Sequence, residues 1–133
     1  MAGTNIGKIT GYGVGVYLEG GAHSFTNKAD ITIGNSPDGT VQSVGIYAKP
    51  GTSITNTAKI TAGRRSVGIY GNDITLAGTG SVEVGDGGLG IYSQSGNVNL
   101  NSGTSLKVGQ SLGAGKEGIG VYYGGTGTVN NQL

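Results

Sequence analysis

One five-residue phrase occurs five times along the chain, and it constrains the fold more than any other feature. Each copy has a small residue, an aliphatic residue, glycine, a β-branched aliphatic residue and tyrosine, in that order. The copies span residues 13–17, 43–47, 66–70, 88–92 and 118–122. A repeat of about 20 to 30 residues, built from strand-forming residues and punctuated by glycine, is typical of a solenoid.

Two further strand-like segments recur with each phrase. The first follows the tyrosine, at residues 25–27, 54–56, 74–76, 98–100 and 129–131. The second follows in turn, at residues 6–9, 29–31, 58–60, 82–84 and 106–108. Alternating apolar and polar residues predict strands. We therefore expect an all-β parallel β-solenoid of about five rungs with three short strands each and no helices, forming one segment over residues 1–133. Its strand-like ends, without caps, suggest a fragment of a longer repeat protein.

Composition excludes several classes of protein. Glycine supplies 30 of 133 residues, but only 2 prolines occur and no collagen period is present. The net charge is +1 and cysteine is absent, so neither a nucleic-acid surface nor a thiolate metal site is indicated. We find no apolar run long enough to span a membrane and no signal peptide.

The second recurrent segment carries charges of alternating sign. Its central residues are Lys8, Asp30, Lys59, Glu83 and Lys107. Stacked about 4.8 Å apart on the outer face of a parallel sheet, opposite charges attract and like charges repel. We therefore predict a charge ladder that fixes the register of the rungs.

The orientation of the tyrosine phrase follows from strand alternation. The aliphatic residues on both sides of each central glycine are expected to face the core, as are columns containing Ile60 and Ile54. The glycines would then lie outside with Tyr17, Tyr47, Tyr70, Tyr92 and Tyr122, each ring shielding a neighbouring glycine. These tyrosines are our candidate ligand-facing residues, because an exposed aromatic stripe suits sugars or a partner protein. The reverse orientation, with the tyrosines stacked inside, remains an alternative.

Residues able to carry catalysis are sparse. His23 is the only histidine, so a histidine cluster for metal binding is excluded. Residues 113–118 match the glycine spacing of a dinucleotide loop, but they precede a predicted strand instead of a helix. We therefore expect no catalytic, cofactor or metal site.

The phrases at residues 43–47 and the sequence at 53–63 (SITNTAKITAG) resemble passenger-domain repeats of large type V autotransporter adhesins, such as those of fusobacteria. The resemblance extends over nearly the whole chain. It implies a right-handed parallel β-helix on the bacterial cell surface, anchored to the outer membrane through a longer parent chain.

Three functions follow as hypotheses. The favoured one is a non-enzymatic structural or adhesive segment that binds a glycan or a surface protein, or serves as a stalk. An alternative is a filament subunit that associates end to end. A weaker alternative is a polysaccharide-active enzyme, since β-helices can host paired carboxylates, although no pair is singled out here.

Overall fold

A computed structural model describes residues 2–21, 23–36 and 43–133, which form sixteen strands in three sheets. The hydroxyl sheet contains β1 (Ala2–Asn5), β4 (His23–Asn27), β7 (Thr52–Asn56), β10 (Ile74–Leu76), β13 (Val98–Leu100) and β16 (Val129–Asn131). The charged sheet contains β2 (Ile9–Gly11), β5 (Ile31–Ile33), β8 (Lys59–Ala62), β11 (Ser81–Val84) and β14 (Ser105–Val108). The tyrosine sheet contains β3 (Val14–Leu18), β6 (Val44–Ala48), β9 (Val67–Gly71), β12 (Leu89–Ser93) and β15 (Ile119–Tyr123).

Each strand pairs in parallel with its counterpart in the next rung. Strand order within every sheet advances three strands at a time, as β1-β4-β7-β10-β13-β16 illustrates. The chain therefore winds through the three sheets once per rung, and the fold is the predicted right-handed parallel β-helix. The described residues contain no helix that could span a membrane.

The hydrophobic core lies between the three sheets. Isoleucines of the charged, tyrosine and hydroxyl sheets, such as Ile60, Ile69 and Ile74, are fully buried. The connected core cluster comprises Phe25, Ile31, Ile33, Ile46, Ala48, Ile54, Ile60, Ala62, Ile69, Ile74, Leu76, Val82, Val84, Ile91, Val98 and Leu100. Val44 and Val67 are buried outside this cluster, and Val14 is 45% exposed. Of the two aliphatic residues in each tyrosine phrase, only the second therefore faces the core as predicted.

The central glycines of the phrase face inward, which corrects the predicted alternation. A Cβ atom on Gly45 would lie 2.8 Å from the Cγ2 atom of Ile60 and 2.6 Å from the carbonyl oxygen of Gly68. The same conflict recurs at Gly15, Gly68 and Gly90. The aliphatic residues before and after each glycine pair with their counterparts in the next rung, as Val44 does with Val67 and Ile46 with Ile69, whereas the glycines between them are left out of the register. Regular alternation is interrupted there, so the glycine lets the backbone approach both the core and the next rung.

The predicted charge ladder divides into two columns. Lys59 is in register with Ser81, whereas Glu83 is in register with Thr61 and Lys107. The alignment on which the ladder rested was therefore shifted by two residues from β11 onward. Such a shift keeps every side chain on its predicted face, and the alternation of the sequence could not reveal it.

Candidate functional site: the outer faces of the solenoid

The five phrase tyrosines form one continuous stack on the outside of the tyrosine sheet. Consecutive ring centroids are 5.3, 4.6, 4.7 and 4.8 Å apart, and neighbouring planes differ by 4° to 11°. Tyr17 and Tyr122 are about half exposed, and the three rings between them are partly buried. The outward orientation is thus the one observed. Whether these tyrosines contact a ligand stays a prediction.

Stacking decides which parts of the rings reach solvent. Because each inner ring lies between two parallel neighbours, its faces are covered by other tyrosines. The faces are the part of an aromatic ring that a sugar would pack against. The stripe of tyrosines expected from the sequence therefore presents ring edges and a row of hydroxyl groups to solvent instead of ring faces. Stacking also replaces the predicted contact between rings and glycines.

Polar side chains flank the tyrosine stack. The Lys49 Nζ atom lies 3.3 Å from a carboxylate oxygen of Glu19 and 5.9 Å from the centre of the Tyr17 ring. Hydrogen bonding with the Tyr17 side chain, then hydrogen bonding and charge attraction with Glu19, raises the pKa of Lys49. Gln94 donates a 2.7 Å hydrogen bond from Nε2 to the Tyr70 hydroxyl. These contacts link side chains of adjacent rungs across the outer surface.

Ionisation of the central tyrosine is opposed by its surroundings. Burial is the main cause that raises the pKa of Tyr70, and interactions with Tyr47 and Tyr92 add to it. A phenolate in the middle of the stack would lose hydration and lie beside two other phenol groups. Tyr70 therefore keeps its proton at physiological pH.

Among the described residues, the five predicted ladder charges do not form ion pairs with one another, whereas Lys49 and Glu19 do form one. The Asp30 carboxylate instead accepts a 3.2 Å hydrogen bond from the backbone N–H of Lys59. Asp73 and Asp86 likewise accept bonds of 2.9 and 2.8 Å from backbone N–H groups of the next rung. Carboxylates at the corners thus bind backbone groups between rungs.

A buried asparagine ladder supplies cross-rung hydrogen bonds that sequence reasoning missed. Asn5 donates from Nδ2 to the Oδ1 atom of Asn27, and Asn27 donates in the same way to Asn56, both at 2.9 Å. Asn56 donates onward to the carbonyl oxygens of Ala58 and Ser81. Asn27 and Asn56 are fully buried, so each amide is satisfied by its neighbours. The recurrent asparagine after Phe-Thr and Ile-Thr was the signal for it.

Small polar side chains cover the outer face of the hydroxyl sheet, and this array was also missed. One column contains Thr4, Thr26, Thr55, Thr75, Asn99 and Asn130. Beside it, Ser24 is in register with Ser53. The sequence pattern does not reveal the array, because the Ser-x-Thr unit occurs on this sheet in only two rungs, at residues 24–26 and 53–55. Strand register brings these residues together.

A cavity of about 220 Å³ lies beside β1, β4 and the end of β3. Leu18 and Phe25 supply apolar walls, while Glu19, His23 and Thr52 supply polar groups. The Thr52 hydroxyl is buried without a hydrogen-bond partner. No hydrogen bond joins Glu19 to His23 within the described ranges, and these ranges contain no cluster of three His, Cys, Asp or Glu suited to a metal.

Comparison with known proteins gave no matching family model, no matching curated protein and no matching solved structure.

Proposed function

We propose that this chain is a surface-exposed structural and adhesive segment of a bacterial adhesin of the autotransporter type, without a catalytic role. The observation that carries the proposal is the continuous cross-rung stacking of side chains. The tyrosine stack passes through five successive rungs at separations of 4.6 to 5.3 Å. Such a structure supports a stiff element that repeats one surface along its axis.

Rigidity follows from the number of different contacts that cross each rung boundary. Between β4 and β7, for example, the backbones pair, and Asn27 and Asn56 form a hydrogen bond inside the solenoid. In the same two rungs, Tyr17 stacks on Tyr47 on the outside of the tyrosine sheet. Bending the solenoid would have to open one of these columns. A segment of this kind holds its outer faces at a fixed spacing.

Adhesion gains from the same repetition. A contact made at one rung can be repeated at the next, and linked weak contacts give a much larger combined affinity than any single one. The resemblance to passenger-domain repeats suggests that cell or matrix surfaces are the partners. In contact with such a surface, the tyrosine stack would contribute hydroxyl groups and ring edges.

Surface exposure and adhesion are tested separately. Antibodies raised against the isolated chain should label intact cells that produce the protein, without permeabilisation. Beads coated with the chain should adhere to bacterial or host cells more than beads coated with heat-unfolded chain. Labelling only after permeabilisation would contradict the surface location, and equal adherence of both bead types would contradict folded-state adhesion.

A further inference from the structure

We propose that the ligand-binding face of this segment is the outer face of the hydroxyl sheet, and that its ligand is an extended, uncharged β-1,4-linked polysaccharide lying along the solenoid axis. The inference rests on the adhesive function proposed above, and it names the surface and the ligand class. It moves the site away from the tyrosine stack.

The first step is the alignment of hydroxyl groups on β4 and β7. Along β7, Thr52, Ile54 and Asn56 are buried, while Ser53 and Thr55 alternate with them on the outer face. Register places Ser24 beside Ser53 and Thr26 beside Thr55. The four side chains therefore form a two-by-two array of hydroxyls, which the threonine and asparagine column extends along the sheet.

The second step is that this array is available for bonding. The hydroxyls of Ser24, Ser53, Thr26 and Thr55 make no hydrogen bond with any described residue, whereas Thr75 accepts one of 3.4 Å from Asn99. Asn130 donates to Asn99 at 2.8 Å. Donors and acceptors that are not bonded within the protein are free to bond a polyhydroxylated ligand.

The third step is charge. One column on this face is built from Thr and Asn, and the other continues from Ser24 and Ser53 to Asp73. The Asp73 carboxylate is bonded to the backbone N–H of Asn97. Lys59, Glu83 and Lys107 lie instead on the charged sheet. An anionic polymer would meet the Asp73 carboxylate and no cation in these two columns, so the electrostatics of the array favour a neutral ligand.

The fourth step is spacing. Neighbouring strands of a sheet lie about 4.8 Å apart, so equivalent hydroxyls recur at this distance along the solenoid axis. A straight β-1,4-linked chain of pyranose rings advances by close to one strand spacing per sugar, and each ring carries hydroxyls on both edges. One sugar can thus be bonded at each rung. An α-1,4-linked chain coils and cannot keep this register.

The chain offers a matched pair of variants for the test. Thr26→Val/Thr55→Val removes two hydroxyls from the proposed face and keeps β-branched side chains of nearly the same shape. Thr32→Val/Thr61→Val makes the same change in the same rungs on the outer face of the charged sheet, where these two threonines are also in register. Circular dichroism and thermal unfolding establish that both variants fold.

Binding is measured by calorimetric or NMR titration of the full chain with cellohexaose. Wild-type protein should bind cellohexaose more tightly than cellobiose, and should not bind maltohexaose measurably. Thr26→Val/Thr55→Val should weaken the cellohexaose affinity by about tenfold, since each lost neutral hydrogen bond changes Kd by a few-fold. Thr32→Val/Thr61→Val should leave it within about twofold.

Several results would overturn the inference. Failure of the wild-type chain to bind cellohexaose while coated beads still adhere to cells would refute this ligand and leave the adhesive function standing. Equal losses in the two threonine variants would refute the assigned face. Loss of binding in Tyr47→Phe/Tyr70→Phe would assign the site to the tyrosine stack. If the protein lowers the freezing point of water below the melting point, and Thr26→Val/Thr55→Val abolishes this effect, the face binds ice instead of a polysaccharide.

Discussion

Replacing Gly68 by alanine should test the inward orientation of the phrase glycines. An added Cβ atom would lie 2.5 Å from the Gly90 carbonyl oxygen and 2.5 Å from the Cγ1 atom of Val82. Val82 is fully buried, and the carbonyl belongs to the next rung's backbone. Neither neighbour is the free end of a flexible side chain, so the substitution must displace a rung or the core.

The size of the effect follows from these contacts. Overpacking a close-packed core costs about 1–3 kcal/mol, and the backbone conflict adds to it. We expect Gly68→Ala to lower the free energy of unfolding by about 3 kcal/mol, which is a large fraction of the about 5–15 kcal/mol typical of folded domains. The midpoint of thermal unfolding should fall by about 10 °C.

The last copy of the phrase supplies a control at the equivalent position. A Cβ atom on Gly120 would meet only the Cδ2 atom of Leu106, at 3.9 Å, which is an ordinary contact. Neither Gly68 nor Gly120 has a positive φ angle, so the two substitutions differ in packing alone. Gly120→Ala should be neutral or stabilising by up to about 1 kcal/mol, because alanine restricts the unfolded chain.

Urea unfolding followed by circular dichroism compares the three proteins. If Gly68→Ala unfolds at the wild-type urea concentration, the glycine faces solvent and the inward orientation is wrong. If Gly120→Ala is destabilised as strongly as Gly68→Ala, the cost arises from the phrase itself and the steric account fails.

Three further outcomes are expected. Asn56→Ala should lower the free energy of unfolding by about 1–3 kcal/mol in urea titrations, because the preceding asparagine loses a buried acceptor; an unchanged midpoint would contradict the ladder. The pKa of Tyr70 in the folded protein is raised above its usual value of 10.0. The folded state therefore keeps the Tyr70 proton more tightly than the unfolded state does, and this contribution to stability is present below pH 10 and is lost as the pH rises through the folded-state pKa. Thermal midpoints at rising pH should therefore fall less steeply in Tyr70→Phe, and parallel curves would refute this. A double-mutant cycle should give about 0.2–1 kcal/mol of coupling for Glu83 with Lys107, which lie directly opposite each other in adjacent strands, and less for Lys59 with Glu83, which are offset by two residues. The reverse order would restore the continuous charge ladder.

The fold could be predicted because the same pattern recurs in five rungs. Each phrase ends in a tyrosine after a β-branched residue, and the stack of Tyr47 on Tyr70 shows that the phrases are in register. Repetition sets the number of complete rungs and the approximate position of most strands. It missed β1, which no phrase precedes, and it placed β2 and β5 two or three residues too early. It does not require knowledge of any single contact.

Register within the charged sheet could not be predicted from alternation. Val82 and Val84 are both buried, so either could have been aligned with Ile60. The choice depends on the connection before β11, which is two residues longer than the one before β8 when counted from Asn56 and Leu76. That extra length places Val82 beside Ile60 and moves Glu83 out of line with Lys59.

Glycine orientation required a backbone detail that a pattern of residue types does not contain. Period-two alternation assigns Gly45 to the face of Tyr47, yet the backbone departs from regular pairing at that residue. The sequence shows that the residue is a glycine, but it does not show whether the position that a side chain would occupy on its Cα atom faces the core or solvent. Identical residues at Asn27 and Asn56, by contrast, were a readable signal of a cross-rung bond.

Stacking and surface repetition have a common cause. Side chains such as Tyr47 and Tyr70 stabilise the solenoid only when successive rungs carry the same residue at the same position, and this requirement keeps the strands in constant register. Constant register then aligns outward residues that make no contact with one another, including Thr26 and Thr55. The repeated outer face on which the polysaccharide proposal rests is therefore a consequence of how the rungs are held together. Lengthening the solenoid by whole rungs extends that face without redesigning it.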